Sequence, residues 1–157
     1  MTQRTAERDG YRMRFASRHD VAALKELEDQ SFTHDRLSVQ SIAHAITSRS
    51  QAVLLLETPT AQIVGAAILH YRRGSRCCRL YSLAVRYDSL RRGLGTRLLA
   101  ACERHARHRG CAEIHLEART DRASTLRFYE SRGFRKRGMK PRYYEDGADA
   151  FFFYKAL

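Results

Sequence analysis

Two runs of this 157-residue chain hold most of the residue types that do chemistry, Leu80–Ala101 and Leu116–Gly138. The first reads LYSLAVRYDSLRRGLGTRLLAA. Its start has the look of a strand ending at Val85. After a short loop, Arg91-Arg92-Gly93-Leu94-Gly95-Thr96 opens a helix. A strand, a glycine-bearing turn and a helix N-terminus together make an anion site. The first helical N–H groups have no intrahelical partner there, and the helix dipole favours negative charge. Glycine lets a ligand approach the backbone without a Cβ in the way. Two arginines beside it point to a pyrophosphate. No G-K-[ST] follows, so this is not a Walker A loop. The third glycine of a dinucleotide fingerprint is missing, and three strands precede the loop rather than one.

The second run offers Glu117 at a strand end and Tyr129 on an apolar helix face. Taken alone, such a Glu is ordinarily solvated and such a Tyr is ordinarily core. Cys102, His105 and His108 share a helix at spacings that would suit a metal, but no fourth ligand is apparent, and we expect no metal site. Cys77 and Cys78 are adjacent on a strand and point to opposite faces. Neither the cysteines nor Ser82 has an identifiable base, which argues against an acyl-enzyme.

Around these residues the hydrophobic pattern changes period. Tyr11–Phe15 alternates weakly, as a strand does. Ser17–Asp20 offers cap residues for a helix with Val21, Leu24, Leu27 and Ser31 at helical spacing. Ser38 can cap a second helix. Ala52–Leu56, Gln62–Tyr71 and Cys77–Val85 read as three consecutive strands, the last two joined by a turn at Arg72–Ser75. Leu94, Leu98, Cys102 and Ala106 form a helical stripe closed by Gly110. A strand over Cys111–Glu117, a helix capped by Asp121 and closed by Gly133, and strands over Phe134–Lys140 and Ala148–Tyr154 complete the order. Both crossovers and hairpins occur. The expected fold is α/β, a mixed and mostly antiparallel sheet of about seven strands flanked by about four helices. Residues 1–10 read as a loose polar tail, and 11–157 as one domain.

The chain carries 29 Lys+Arg against 17 Asp+Glu, a formal net charge of +12. Its hydrophobic share of 43% is that of a globular protein and excludes a disordered basic tail. Four cysteines, two of them adjacent, suit a reducing cytoplasm better than a disulfide scaffold. The longest uncharged apolar stretch, around Ile63–Leu69, is too short for a membrane span, and the N-terminus shows no secretory pattern. The excess of arginine fits either an anionic partner or GC-rich codon usage.

Taken together, the loop and the order of elements around it resemble the GNAT superfamily of N-acetyltransferases. That family's loop usually reads Gln/Arg-x-x-Gly-x-Gly/Ala. Gly93 and Gly95 match it, and Leu90 stands at its first position. Downstream, Glu117 and the run Phe128-Tyr129-Glu130-Ser131-Arg132-Gly133-Phe134 are similar to the ribosomal-protein-alanine N-terminal acetyltransferase branch, as is Arg142-Tyr143-Tyr144-Glu145-Asp146 with Asp149-Ala150. The branch commonly has Asn where this chain has Arg122. The likeness spans about Tyr11–Leu157 and is strongest from Leu80 onward.

This resemblance implies an acetyl-CoA-dependent N-acetyltransferase, working directly through a ternary complex. The cofactor's pyrophosphate would lie on Arg91, Arg92, Gly93, Leu94, Gly95 and Thr96. Its pantetheine arm would run along Leu83, Ala84 and Val85, with Arg122 nearby. Tyr129 matches the general acid that protonates the leaving thiolate, and Glu117 the general base. An ordinary carboxylate is a weak base for an ammonium, so the pKa of Glu117 would have to be raised. Tyr143 and Tyr144 fall where the acceptor groove is walled, with an exposed turn as the alternative. The acceptor would be a protein or peptide α-amine, such as one on a ribosomal particle. A small-molecule amine, or a CoA- or RNA-binding module without turnover, stays open.

Overall fold

A computed structural model describes residues 10–90 and 92–157. Residues 1–9, most of the expected loose tail, and Arg91 of the expected anion loop lie outside the described residues. Seven strands form one sheet: β1 (Arg12–Phe15), β2 (Gln51–Glu57), β3 (Ile63–Tyr71), β4 (Cys77–Val85), β5 (Glu113–Arg119), β6 (Arg135–Lys140) and β7 (Ala150–Ala156). The helices are α1 (Val21–Ser31), α2 (Val39–Thr47), α3 (Leu94–His108) and α4 (Ala123–Glu130). The strand order is β1-β2-β3-β4-β5-β7-β6. This is the α/β architecture with a mixed, mostly antiparallel sheet that the sequence leads one to expect.

The run Ala52–Leu56 is apolar at every position because helices cover both faces of its strand. Ala52 and Leu54 pack in the cluster that contains Leu98, Leu99 and Cys102 of α3. Val53 and Leu55 pack with Leu24, Leu27 and Ile42 of α1 and α2. Strand alternation thus sends successive residues to two different cores. Ser38 caps α2 by accepting the Ser41 N–H at 3.1 Å, as its residue type suggests.

Several strand and helix ends differ from the sequence reading by one or two residues, and two of the differences have a visible cause. β5 begins at Glu113, not Cys111, because the N–H groups of Cys111 and Ala112 donate to the carbonyls of Ala106 and Arg76 instead. α4 is preceded by Arg122 rather than capped by Asp121, whose carboxylate is taken by the Arg119 guanidinium at 3.1 and 3.2 Å.

β1 is fastened to the sheet by charge. Glu57, buried on β2, accepts from Arg12 and Arg14 Nε at 2.8 and 3.0 Å. Arg14 also clamps Asp20 with two bonds of 2.9 and 2.8 Å. The guanidinium hydrogen bonds outweigh burial and hold the Asp20 carboxyl down to about 2. A depressed carboxyl contributes stability above its unfolded value near 3.8, and that contribution is lost as pH falls toward 2. Arg14→Met is therefore expected to cost about 2 kcal/mol at neutral pH. It should also flatten the fall in stability between pH 4 and 2, which urea unfolding across that range measures. An unflattened curve would assign the acid sensitivity to another carboxylate.

Candidate active site

The site begins with a failure of strand pairing. β4 and β5 run parallel and pair at only three positions, from Cys77↔Glu113 to Arg79↔His115. Beyond Arg79 the two strands part. β4 remains paired with β3 as far as Val85, so its other edge from Leu80 onward is open. A register shift between Ile68 and Leu69 leaves Tyr81 as an extra residue on β4, a bulge at the point where the strands diverge. The gap is a cleft of about 520 Å³ lined by Leu80–Leu83 on one wall and Leu116–Arg119 on the other.

This cleft collects much of the expected site. Leu83, Glu117, Arg122, Tyr129, Tyr143 and Tyr144 all line it. Ala84 and Val85 do not: Ala84 points into the α1/α2 core, and Val85 packs near Leu94. The Gly93–Thr96 loop lies beyond the cleft, at the N-terminus of α3. Gly93 has φ +73, and a Cβ there would meet nothing within 4 Å, so its backbone faces open space. Gly95 is small for a different reason. A Cβ would come to 3.3 Å from the Phe128 ring, so this glycine lets α3 approach α4. Thr96 accepts from Arg132 Nε at 2.9 Å, and Arg132 stacks 4.2 Å over the Phe128 ring. Arg132 therefore fixes α4, and with it Tyr129, against the loop that opens α3. Arg92 is exposed, with Tyr11 OH 3.4 Å from its Nη1.

Tyr129 is buried at the cleft wall, its ring set edge-on to Phe128 and Phe134 at 5.1 and 5.5 Å. Burial, with Cys102 and Tyr144 nearby, pushes its hydroxyl well above the ordinary phenol range. It stays protonated at any physiological pH. Glu117 differs from the expectation of a raised pKa. Burial pushes it up, but the Lys140 hydrogen bond and the charges of Arg79 and Lys140 outweigh that and hold it below the usual carboxylate range. The distances are 2.8 Å from Lys140 Nζ and 3.0 Å from Arg79 Nε. Arg79 also donates to Tyr143 OH at 2.8 Å, which ties the β6–β7 loop to the cleft floor.

Two loops meet over the cleft. Asp35 N–H donates to Glu145, and Glu145 N–H donates back to Asp35, each at 3.3 Å. Asp35 and Arg142 hold φ of 54° and 48°, left-handed values that a non-glycine residue adopts only where its surroundings impose them. Tyr144 is half-buried, its hydroxyl pushed up to about 12 chiefly by burial, and Arg119 stacks on it at 4.9 Å. Tyr143 and Tyr144 both line the cleft, Tyr143 from an exposed position in the turn segment between β6 and β7.

The sequence reading missed Arg79, Lys140, Arg132 and Glu28. Glu28, buried on α1, lines the cleft and accepts the Leu37 N–H at 3.0 Å, and burial raises its carboxyl. Arg79 and Lys140 carry no local motif, because each acts on a residue remote in sequence; Arg132 lies within the Phe128–Phe134 run, but its partner Thr96 is equally remote. Cys102 is wholly buried, and the His105 ring faces the Tyr71 hydroxyl. No helix of the described residues is long and apolar enough to cross a membrane.

Residues 21–134 match the Acetyltransferase (GNAT) family. The chain belongs to that family. That family membership is what the resemblance implied. An uncharacterized N-acetyltransferase of Methanocaldococcus jannaschii is 39% identical over 77 residues, covering 48% of this chain and 49% of that protein. The chain thus matches about half the length of that curated relative. Among solved GNAT structures, the ribosomal-protein-S18-alanine N-acetyltransferase of Escherichia coli has a TM-score of 0.83 at 25% identity, over 94% of each chain. Ard1 of Thermoplasma volcanium has a TM-score of 0.84 at 24% identity, over 94% of this chain and 98% of its own. GNAT proteins use acetyl-CoA as the acetyl donor, and the open β4 edge and open Gly93 backbone suit such a ligand.

Proposed function

We propose that this GNAT enzyme acetylates the N-terminal α-amine of a protein or peptide. The observation that carries the proposal is the cleft between β4 and β5, with Glu117 and Tyr129 on its walls and two bonded loops over it. A bridged cleft admits a chain end more readily than a side chain in the middle of a polypeptide. The depressed Glu117 points the same way. An α-ammonium titrates near 8, far closer to a carboxylate than a lysine ammonium near 10.4, so a weak base reaches it at lower cost. The similarity to an alanine N-acetyltransferase supports this reading.

Acetyl-CoA supplies a thioester carbonyl and a thiolate leaving group. For holding it, the proposal assigns the backbone at Gly93–Thr96, with Arg91 and Arg92 beside it, to the pyrophosphate. The open edge at Leu83–Val85 would take the pantetheine, its N–H groups offering oxyanion-type stabilisation. Arg122 at the cleft wall is assigned to the same ligand. Glu117 would accept the amine's proton, directly or through a water. Tyr129 would give its proton to the departing sulfur. The amine attacks directly, since neither Ser82 nor any cysteine has been assigned a base. Exposed Cys77 and buried Cys78, Cys102 and Cys111 are all free thiols, which suits a cytoplasmic setting.

The test is acetyl-CoA turnover with three acceptor panels: N-terminal peptides, internal-lysine peptides with blocked N-termini, and small amines. The proposal expects kcat/KM for free N-termini at least about tenfold above the other two panels. A leading rate on blocked lysine peptides or small amines would replace it.

A further inference from the structure

The net charge of +12 is not spread evenly. No Asp or Glu occurs between Glu57 and Asp88, nor between Glu103 and Glu113. Those two stretches meet at one end of the sheet. The β3–β4 turn brings Arg72, Arg73 and Arg76, all exposed, and the C-terminal end of α3 brings exposed Arg104, Arg107 and Arg109. The Arg76 carbonyl accepts from Ala112 N–H at 2.7 Å, joining the turn to the segment that follows α3. Among the described residues, none of these six arginines forms an ion pair, whereas Arg12, Arg14, Arg79, Arg119 and Arg137 each do.

Codon usage raises the number of arginines. It does not clear acids from both the β3–β4 turn and the last turn of α3; Glu113, the acid beside the turn, is taken up by Arg137 at 2.8 Å. Helix-dipole compensation accounts for cations in the last turn of α3 but not for three more on the turn beside it.

The same end carries three aromatic rings, of which Phe15 is exposed and Tyr71 and His105 are half-buried. Phe15 is 57% exposed, set edge-on to His105 at 5.4 Å. His105 lies against Tyr71 at 5.5 Å, and Arg109 stacks 4.3 Å over the Tyr71 ring. Planar cations beside a row of rings suit a polyanion whose repeating unit has a π-face. An acidic polypeptide would use the charges but has no use for the rings. We propose that the end of the molecule formed by the β3–β4 turn, the α3 C-terminus and Phe15 binds single-stranded RNA through its phosphates and stacked bases. α3 has 15 residues and so sets this surface about 22 Å from the loop at its N-terminus. This surface is thus separate from the loop assigned to the pyrophosphate, and Arg76 stands three residues ahead of Arg79 on the cleft wall.

The experiment uses the whole protein and a fluorescein-labelled 20-nucleotide single-stranded RNA, read by anisotropy from 50 to 300 mM KCl. The wild type should bind with a steep salt slope. Arg73→Gln/Arg76→Gln/Arg107→Gln should reduce the slope of log K against log salt by about 2 and weaken binding at 100 mM salt about a hundredfold. Its KM for acetyl-CoA should not change. A control of equal charge, Arg18→Gln/Arg127→Gln/Arg135→Gln, removes three exposed arginines elsewhere and should stay within about threefold of wild type. Phe15→Ala should weaken RNA binding at least about fivefold without altering the salt slope. Equal losses in the control would reduce the effect to net charge and overturn the proposal. So would an unchanged affinity for Phe15→Ala, or tighter binding of polyglutamate than of RNA. Because RNA binding is read without an acceptor, it stands or falls independently of the acceptor assigned to the cleft.

Discussion

Tyr129→Phe is expected to lower kcat about 100- to 1,000-fold while KM for acetyl-CoA stays within about threefold. The substitution keeps the ring, and the ring is what packs: it is buried between Phe128 and Phe134. Only the hydroxyl at the cleft wall is lost, so thermal stability should move little. The raised pKa of this phenol is compatible with the proposed role. Burial destabilises a phenolate, but it equally destabilises a thiolate formed in the same dry space. In the proposed acid role the proton would move toward sulfur only as the leaving charge appears. The measurement is steady-state kinetics with acetyl-CoA varied at saturating acceptor. Parallel changes in kcat and KM, or no change in kcat, would assign the hydroxyl to binding or packing and remove it from the acid role.

Much of the fold was legible because its local signals are strong. The alternating and continuous apolar runs gave β2–β4, the stripe from Leu94 to Ala106 gave α3, and Ser38 gave the start of α2. The ends of β5 and α4 were not legible, because competing partners decide them. Arg119 takes Asp121 from its capping role, and the carbonyls of Ala106 and Arg76 take the N–H groups that would have extended β5.

The candidate site divides along the same line. Gly93 and Gly95 were found by their motif, but sequence assigned them one reason where the structure gives two: backbone conformation for the first and the Phe128 ring for the second. Glu117 and Tyr129 came from resemblance, which cannot state an environment. The cations on Glu117 come from β4 and β6, which are not its neighbours in sequence. Arg79 reaches it because β4 and β5 are in register up to Arg79↔His115. Lys140 reaches it across β7, which lies between β5 and β6 in the sheet. Neither pairing has a local signature, so the direction of the Glu117 shift could not be read from the chain.

That shift supports the second large effect, in the pH dependence of Glu117 variants. Glu117→Gln keeps the shape of the side chain and removes the proton acceptor, and kcat/KM should fall about 100-fold. In the wild type the carboxylate is held below its ordinary range, so the acid limb of the kcat/KM profile should lie low. A base works only when deprotonated, and the limb follows its pKa. Lys140→Met removes a hydrogen bond of 2.8 Å and one charge, leaving the push from burial less opposed. The Glu117 pKa then rises and the limb moves to higher pH. Arg79 still holds the other oxygen at 3.0 Å and Tyr143 at 2.8 Å, so the carboxylate keeps its place. Lys140 lies on the edge strand with its side chain 47% exposed, so its replacement should not threaten the fold. In Glu117→Gln the acid limb should vanish, and adding Lys140→Met to that variant should not restore it. If Lys140→Met alone leaves the limb where it was, the titrating group is not Glu117, and the proton leaves the acceptor amine by another route.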